Sequence, residues 1–200
     1  MTENASRTVL FVCTGNIFRS MSAELAFNSW NRGSPLWRAA SAGIVALPQA
    51  VRPAIRERLL SHGLDPGGHR QRRLDREMLG EADLVVAMGT DHRRYLDAAY
   101  GYSAPLFNQV AYGAPRHLPD VEEAVPGWEA DPAGVDRYVG KVVDHIVAAI
   151  PAFTRNLGGY LPTPAEASRL SGRTRPGILG EEGEATKFRG RDGNRQGGER

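Results

Sequence analysis

Residues 8–22 read TVLFVCTGNIFRSMS, and the fold follows from how that stretch changes character along its length. Residues 8–12 are an apolar, β-branched run of strand length. Cys13 closes the run, residues 14–18 make a short loop, and residues 21–30 carry apolar side chains near helical spacing. A strand that feeds a tight loop opening a helix is a geometry suited to holding a phosphate. The N–H groups of the loop and of the first helical turn converge on one point, where the helix dipole favours negative charge. Cys13 stands at the lip of that cradle, in a field that stabilises a thiolate. Arg19 adds a planar fork matched to two phosphate oxygens. A lone cysteine ending a buried strand is commonly an inert core residue. Here the strand, the Gly15-Asn16 pair and the following helix supply the surroundings that phosphate chemistry requires.

Outward from this stretch, the composition sets bounds. The chain has 200 residues, room for one domain and an additional segment. Hydrophobic residues make up 41%, enough for a core, and the formal net charge of +2 excludes neither acidic nor neutral partners. No apolar run approaches membrane-spanning length, and polar residues 1–7 lack a secretory apolar region. With a single cysteine no intramolecular disulfide can form and a Cys-rich zinc site is excluded, which suits a reducing cytoplasm.

The same alternation of strand and helix continues downstream. Residues 37–45 predict a second strand and residues 53–62 a second helix, with Pro53 in its first turn and Gly63 past its end. Residues 67–74 are dense in positive charge but carry no interleaved aromatics, so nucleic-acid stacking is not expected. Residues 76–80 read as a helical turn, and residues 82–88 as a strand apolar enough to be covered on both faces. Thr90 or Asp91 would cap a helix running to Tyr100, and residues 104–110 predict a fourth strand. Residues 116–132 form a long loop rich in acids and prolines, ahead of a final helix over residues 135–153. The expected architecture is one α/β domain over residues 1–155, a four-stranded parallel sheet with helices on both faces. Its ligand site lies at the strand C-termini. Residues 156–200, rich in Gly, Arg and Glu, predict a disordered tail.

The run from Cys13 to Ser20 resembles the phosphate loop of the low-molecular-weight protein tyrosine phosphatase family. Further similar segments are Ser41-Ala42-Gly43, residues 69–74 and residues 83–88, so the resemblance spans roughly residues 8–153. It implies hydrolysis of a phosphate monoester, phosphotyrosine in a protein, by a cytoplasmic enzyme needing neither metal nor other cofactor. Cys13 would attack phosphorus. Arg19 and the N–H groups of Thr14, Gly15, Asn16, Ile17 and Phe18 would hold the oxygens, and Ser20 would donate to the sulfur. The resemblance also implies that Ser41 hydrogen-bonds Asn16 and keeps it left-handed, and that His69 belongs to the network beneath the loop. General base and metal ligand are the other readings of His69. An aspartate would protonate the leaving oxygen. Asp120 follows Leu118-Pro119 in the family manner, whereas Asp131-Pro132 resembles the family's Asp-Pro pair; we favour Asp120, with Asp131 as a helix N-cap. A monomer or weak dimer is expected, with no nucleic-acid or membrane partner.

Three departures bear on these expectations. Met21 stands where a proline is usual, Phe18 where many members carry a second cysteine, and Asp120-Val121 where Asp-Pro precedes an aromatic. Trp128 in the same loop is a candidate replacement for that aromatic wall. Rival activities are arsenate reduction, which needs additional cysteines, and phosphoarginine hydrolysis, whose members tend to carry Thr where this chain has Ile17. A non-catalytic phosphopeptide-binding module could dispense with both Cys13 and the loop acid.

Overall fold

Seven consecutive residues, Arg7–Cys13, form strand β1, six of them from the quoted stretch. It is paired in parallel on both sides, with β2 (Trp37–Gly43) and with β3 (Leu84–Ala87), in the order β2-β1-β3. The computed structural model describes residues 6–34 and 36–161. Between and after the strands run α1 (Arg19–Trp30), α2 (Pro53–Ser61), α3 (Arg76–Glu81), α4 (Thr90–Tyr100), α5 (Phe107–Tyr112), α6 (Val121–Ala124) and α7 (Pro132–Asn156).

Because successive side chains of a strand point to opposite faces, β1 divides the core in two. Val9, Phe11 and Cys13 join the layer made by α1, α2, α5 and α7, while Leu10 and Val12 join Leu74, Leu96 and Leu106 on the other side. Phe11 anchors the larger layer, with its ring centroid 5.4 Å from Phe153 and 6.1 Å from both Phe27 and Phe107. No helix among the described residues is long and apolar enough to cross a membrane.

The expected fourth strand is not formed. Only a single bridge joins Ala87 to Leu106, with the Ala87 N–H donating to Pro105 O at 2.9 Å. Residues 107–112 are α5 instead. Phe107, Val110 and Ala111 fall at helical spacing and are all buried, and the Gln109 side chain accepts from the Leu106 N–H at 3.3 Å. Pro105 has no N–H to extend the ladder back towards residue 104, and past Leu106 the chain is already helical. The N-cap of α4 also differs from expectation: it is Gly89, without a side-chain cap, rather than Thr90 or Asp91.

At the other end, α7 is followed by a 3-10 turn, Leu157–Tyr160. Leu157 is buried, and the Tyr160 hydroxyl donates to Gln109 O at 2.7 Å. Folded structure therefore passes residue 156, beyond the expected boundary. Of the tail expected over residues 156–200, residues 162–200 lie outside the described residues.

Candidate active site

The loop from Cys13 to Phe18 is shaped by what its carbonyls bond to. Cys13 O and Thr14 O accept from the N–H groups of Ile44 and Val45, each at 3.0 Å. Gly15 O accepts from Gln71 Nε2 at 3.1 Å and Asn16 O from His69 Nε2 at 2.6 Å. A planar trans peptide points its N–H opposite to its C=O. Carbonyls drawn outward therefore turn the N–H groups of Gly15, Asn16 and Ile17 inward, and among the described residues these donate to no protein acceptor. The N-terminus of α1 opens on the same point, and its N-cap, Phe18, makes no side-chain hydrogen bond. The result is an anion cradle of unpaired donors at a helix N-terminus.

Asn16 is held at φ 54°, and no other non-glycine among the described residues has positive φ. Its side chain is buried and fully bonded. Nδ2 donates to Ser41 Oγ at 2.7 Å and Ser20 Oγ at 3.0 Å, and Oδ1 accepts from the Arg72 N–H at 2.9 Å. Ser41 Oγ donates in turn to Glu24, whose other oxygen lies 3.3 Å from Arg72 NH2. The ring Asn16–Ser41–Glu24–Arg72 thus locks four separate segments around one strained residue. His69 shares in this support through its bond to Asn16 O. Glu24 and Gln71 were not singled out by the sequence; both are polar residues whose partners lie far along the chain.

Cys13 Sγ lies 2.9 Å from Ser20 Oγ. That oxygen also accepts from Asn16 at 3.0 Å, and towards a Cys13 thiolate, which can only accept, its own proton is the donor, with Ala42 O a weaker alternative at 3.5 Å. Arg19 is buried. Its NH1 donates to Leu118 O at 2.8 Å, and its NH2 faces Asp120 Oδ2 at 2.5 Å and Thr14 Oγ1 at 3.3 Å. Thr14 Oγ1 also meets Asp120 Oδ2 at 3.1 Å and His92 Nε2 at 2.9 Å. Asp120 is the N-cap of α6, its Oδ1 accepting from the Val121 N–H at 2.9 Å. The Tyr138 hydroxyl pins the preceding residue, donating to Pro119 O at 2.6 Å, and burial pushes its phenol up to about 12.

Structure thus brings Cys13, Arg19, Ser20 and Asp120 together and leaves Asp131 elsewhere. Asp131 caps α7, accepting from the Gly134 N–H at 2.7 Å. Trp128 lies on the turn between α6 and α7 and is partly exposed. His92 is the site residue that the sequence reading missed as such. It is fully buried, and burial, with Arg19 nearby, lowers its pKa to about 4. Its place just past the C-terminal end of β3 was the available signal, since sites in parallel sheets gather there.

Comparison with known proteins agrees with this geometry. A probable low molecular weight protein-tyrosine-phosphatase, EpsP of Ralstonia solanacearum, is 34% identical over 95 residues, 47% of this chain and 63% of that protein. Arsenate reductase 2 of Staphylococcus haemolyticus is 33% identical over 87 residues, 42% of this chain and 62% of that protein. These matches span about three-fifths of either relative's length. The crystal structure of a low molecular weight protein tyrosine phosphatase from T. tengcongensis superposes with a TM-score of 0.63 at 29% identity, covering 75% of this chain and 99% of that one. The family model described as low molecular weight phosphotyrosine protein phosphatase matches residues 8–153, which include the whole cradle, Arg19 and Asp120. The chain belongs to the low molecular weight phosphotyrosine protein phosphatase family.

Proposed function

We propose that this protein hydrolyses phosphate monoesters, with phosphotyrosine in proteins as substrate, through a phosphocysteine intermediate. The observation that carries the reading is the placement of Cys13 Sγ, 2.9 Å from a hydroxyl donor, at the lip of a cradle whose N–H groups point inward. Cys13 thiolate attacks phosphorus as the ester P–O bond breaks, and the electron pair leaves on the phenolic oxygen. Asp120 gives that oxygen its proton. The resulting carboxylate then takes a proton from water as the water attacks phosphorus. The P–S bond breaks, and the thiolate returns with Ser20 donating to it. Throughout, Arg19 and the loop amides hold the equatorial oxygens, as positioning and charge stabilisation carry phosphoryl transfer. Substrate binding draws Arg19 NH2 away from Asp120 and leaves the carboxyl group facing the leaving oxygen.

Arsenate reduction is disfavoured because arsenate must receive two electrons from thiols, and the chain has one cysteine with which no intramolecular disulfide can form. The test is turnover of p-nitrophenyl phosphate and phosphotyrosine peptides beside Cys13→Ser. That variant should lose turnover and retain vanadate binding, since the cradle and Arg19 remain. Rapid quenching of the native enzyme should trap phosphate on Cys13. Steady-state hydrolysis by Cys13→Ser would overturn the covalent mechanism.

A further inference from the structure

The mechanism above leaves one buried titratable group unused. His92 sits fully buried beside the cradle, with Nε2 2.9 Å from Thr14 Oγ1 and 3.2 Å from Asp91 Oδ2. Its Nδ1 is buried without a hydrogen-bond partner. The protonation of the ring follows from its neighbours. A bare Nε2 would set its lone pair 3.2 Å from the Asp91 carboxylate, and the proton, placed on Nδ1, would be a buried donor with no acceptor. Protonation on Nε2 removes both penalties.

That proton fixes what Thr14 can do. A hydroxyl has one proton and two acceptor positions. Thr14 Oγ1 accepts from His92 Nε2–H and from Arg19 NH2, which fills both. Its own proton then has one direction left, towards Asp120 Oδ2 at 3.1 Å. The groups around His92 that bear charge are Arg19 and His117, which disfavour a second proton, and Asp91 and Asp120, which favour one; burial outweighs them all and keeps the ring neutral. A neutral ring keeps the order of donation fixed over the pH range in which a phosphatase works.

We propose that His92 is a positioning residue whose Nε2–H sets the Thr14 hydroxyl as a donor to Asp120 and so holds that carboxyl group over the cradle. When a phosphate takes Arg19 NH2, this hydroxyl is the tether that remains on Asp120 Oδ2. The relay rests on the reading of Asp120 as the general acid, and it adds two residues from different segments to the acid's support. Gly89 is part of the same arrangement. A Cβ there would fall 2.9 Å from His92 Nδ1 and collide with Asp91, so only glycine lets the ring stand where it does.

The experiment measures kcat/KM of the full chain for a series of aryl phosphates whose leaving groups range from p-nitrophenol to phenol. A poor leaving group needs the proton most. His92→Leu should lower kcat/KM for phenyl phosphate by about tenfold, part of the general-acid contribution, and change it by less than about twofold for p-nitrophenyl phosphate. His92→Gln, whose amide nitrogen reaches the place of Nε2, should restore the native slope. A loss of folded protein would scale all substrates alike and leave the slope unchanged. Thr14→Val and Thr14→Ser repeat the comparison at the middle of the relay, should His92→Leu fail to fold. A steep slope for Asp120→Asn with a native slope for His92→Leu and Thr14→Val would overturn the relay alone. A native slope for Asp120→Asn would overturn the assignment of the acid, and the relay with it.

Discussion

Gly43 has no side chain, yet it decides how close β2 comes to the phosphate loop. A Cβ at this position would lie 2.6 Å from Thr14 O and 2.9 Å from the Asn16 N, both backbone atoms that cannot swing aside. The loop's own Gly15 is freer, with nothing nearer than 3.5 Å to such a Cβ. Gly43→Ala should therefore push the loop amides off their common focus. We expect kcat/KM to fall by about 100-fold, the scale of a ~1 Å misplacement, with p-nitrophenyl phosphate as the assay. His92 makes a second prediction at this scale, in stability. Its folded pKa of about 4 lies below the ordinary 6.5, so above pH 6.5 the ring is neutral both folded and unfolded. Between those values the unfolded chain binds a proton that the folded one refuses, so stability present at neutral pH is lost as pH falls towards 4. By pH 4.5 the loss due to this ring is roughly 2–3 kcal/mol. Urea titrations at pH 7.5 and 4.5 should show wild type losing more stability than His92→Gln by that amount, and equal losses would refute the assignment.

Among elements, the contrast between Asp120 and Asp131 is the instructive one. Both are helix N-caps, but α6 is one turn long and brings its cap to Arg19, whereas α7 has 25 residues and uses its cap for itself. Asp131→Ala should cost about 1 kcal/mol in thermal or urea unfolding, the usual worth of a cap. Leaving-group dependence of kcat/KM should stay as in wild type. Sequence reading separated these two aspartates because Leu118-Pro119 places Asp120 soon after the sheet ends. It also singled out Cys13, Asn16, Arg19 and Ser20, because a strand-loop-helix motif is local and its chemistry is written in adjacent residues, whereas Ser41, 25 positions from Asn16, was reached through the family resemblance alone. The fourth strand failed for a physical reason: residues 104–110 read APLFNQV, and in so short a run periodicity alone does not distinguish a buried strand from a short buried helix. Gln109 tips the balance by capping Leu106, a contact that appears only once the chain has turned. Glu24, Gln71 and His92 escaped for the complementary reason, that each acts on a residue 17, 56 or 78 positions away in sequence.

At the scale of the molecule, the two halves of the site hang from different parts of the fold. Cys13, the proposed nucleophile, ends β1, which is bonded along both edges and buried on both faces. Asp120, the proposed acid, sits on the segment after α5, attached near the cradle through Leu118, bonded to Met88 O at 3.0 Å and to Arg19, through Pro119 O on Tyr138, and through its own carboxylate on Arg19 and Thr14. Local opening costs least where backbone bonds are few and exposed. Amide exchange should then report amides of residues 9–12 opening with global unfolding, and those of residues 122–128 exchanging orders of magnitude faster; matched protection in the two segments would contradict this. Such a division has a consequence for which part of the site tolerates redesign. The half that grips phosphate is welded into the strand on which the fold depends, and it tolerates little. The half that carries Asp120 hangs on a few bonds, to Met88, Arg19, Thr14 and Tyr138, and can be reshaped without loosening the grip.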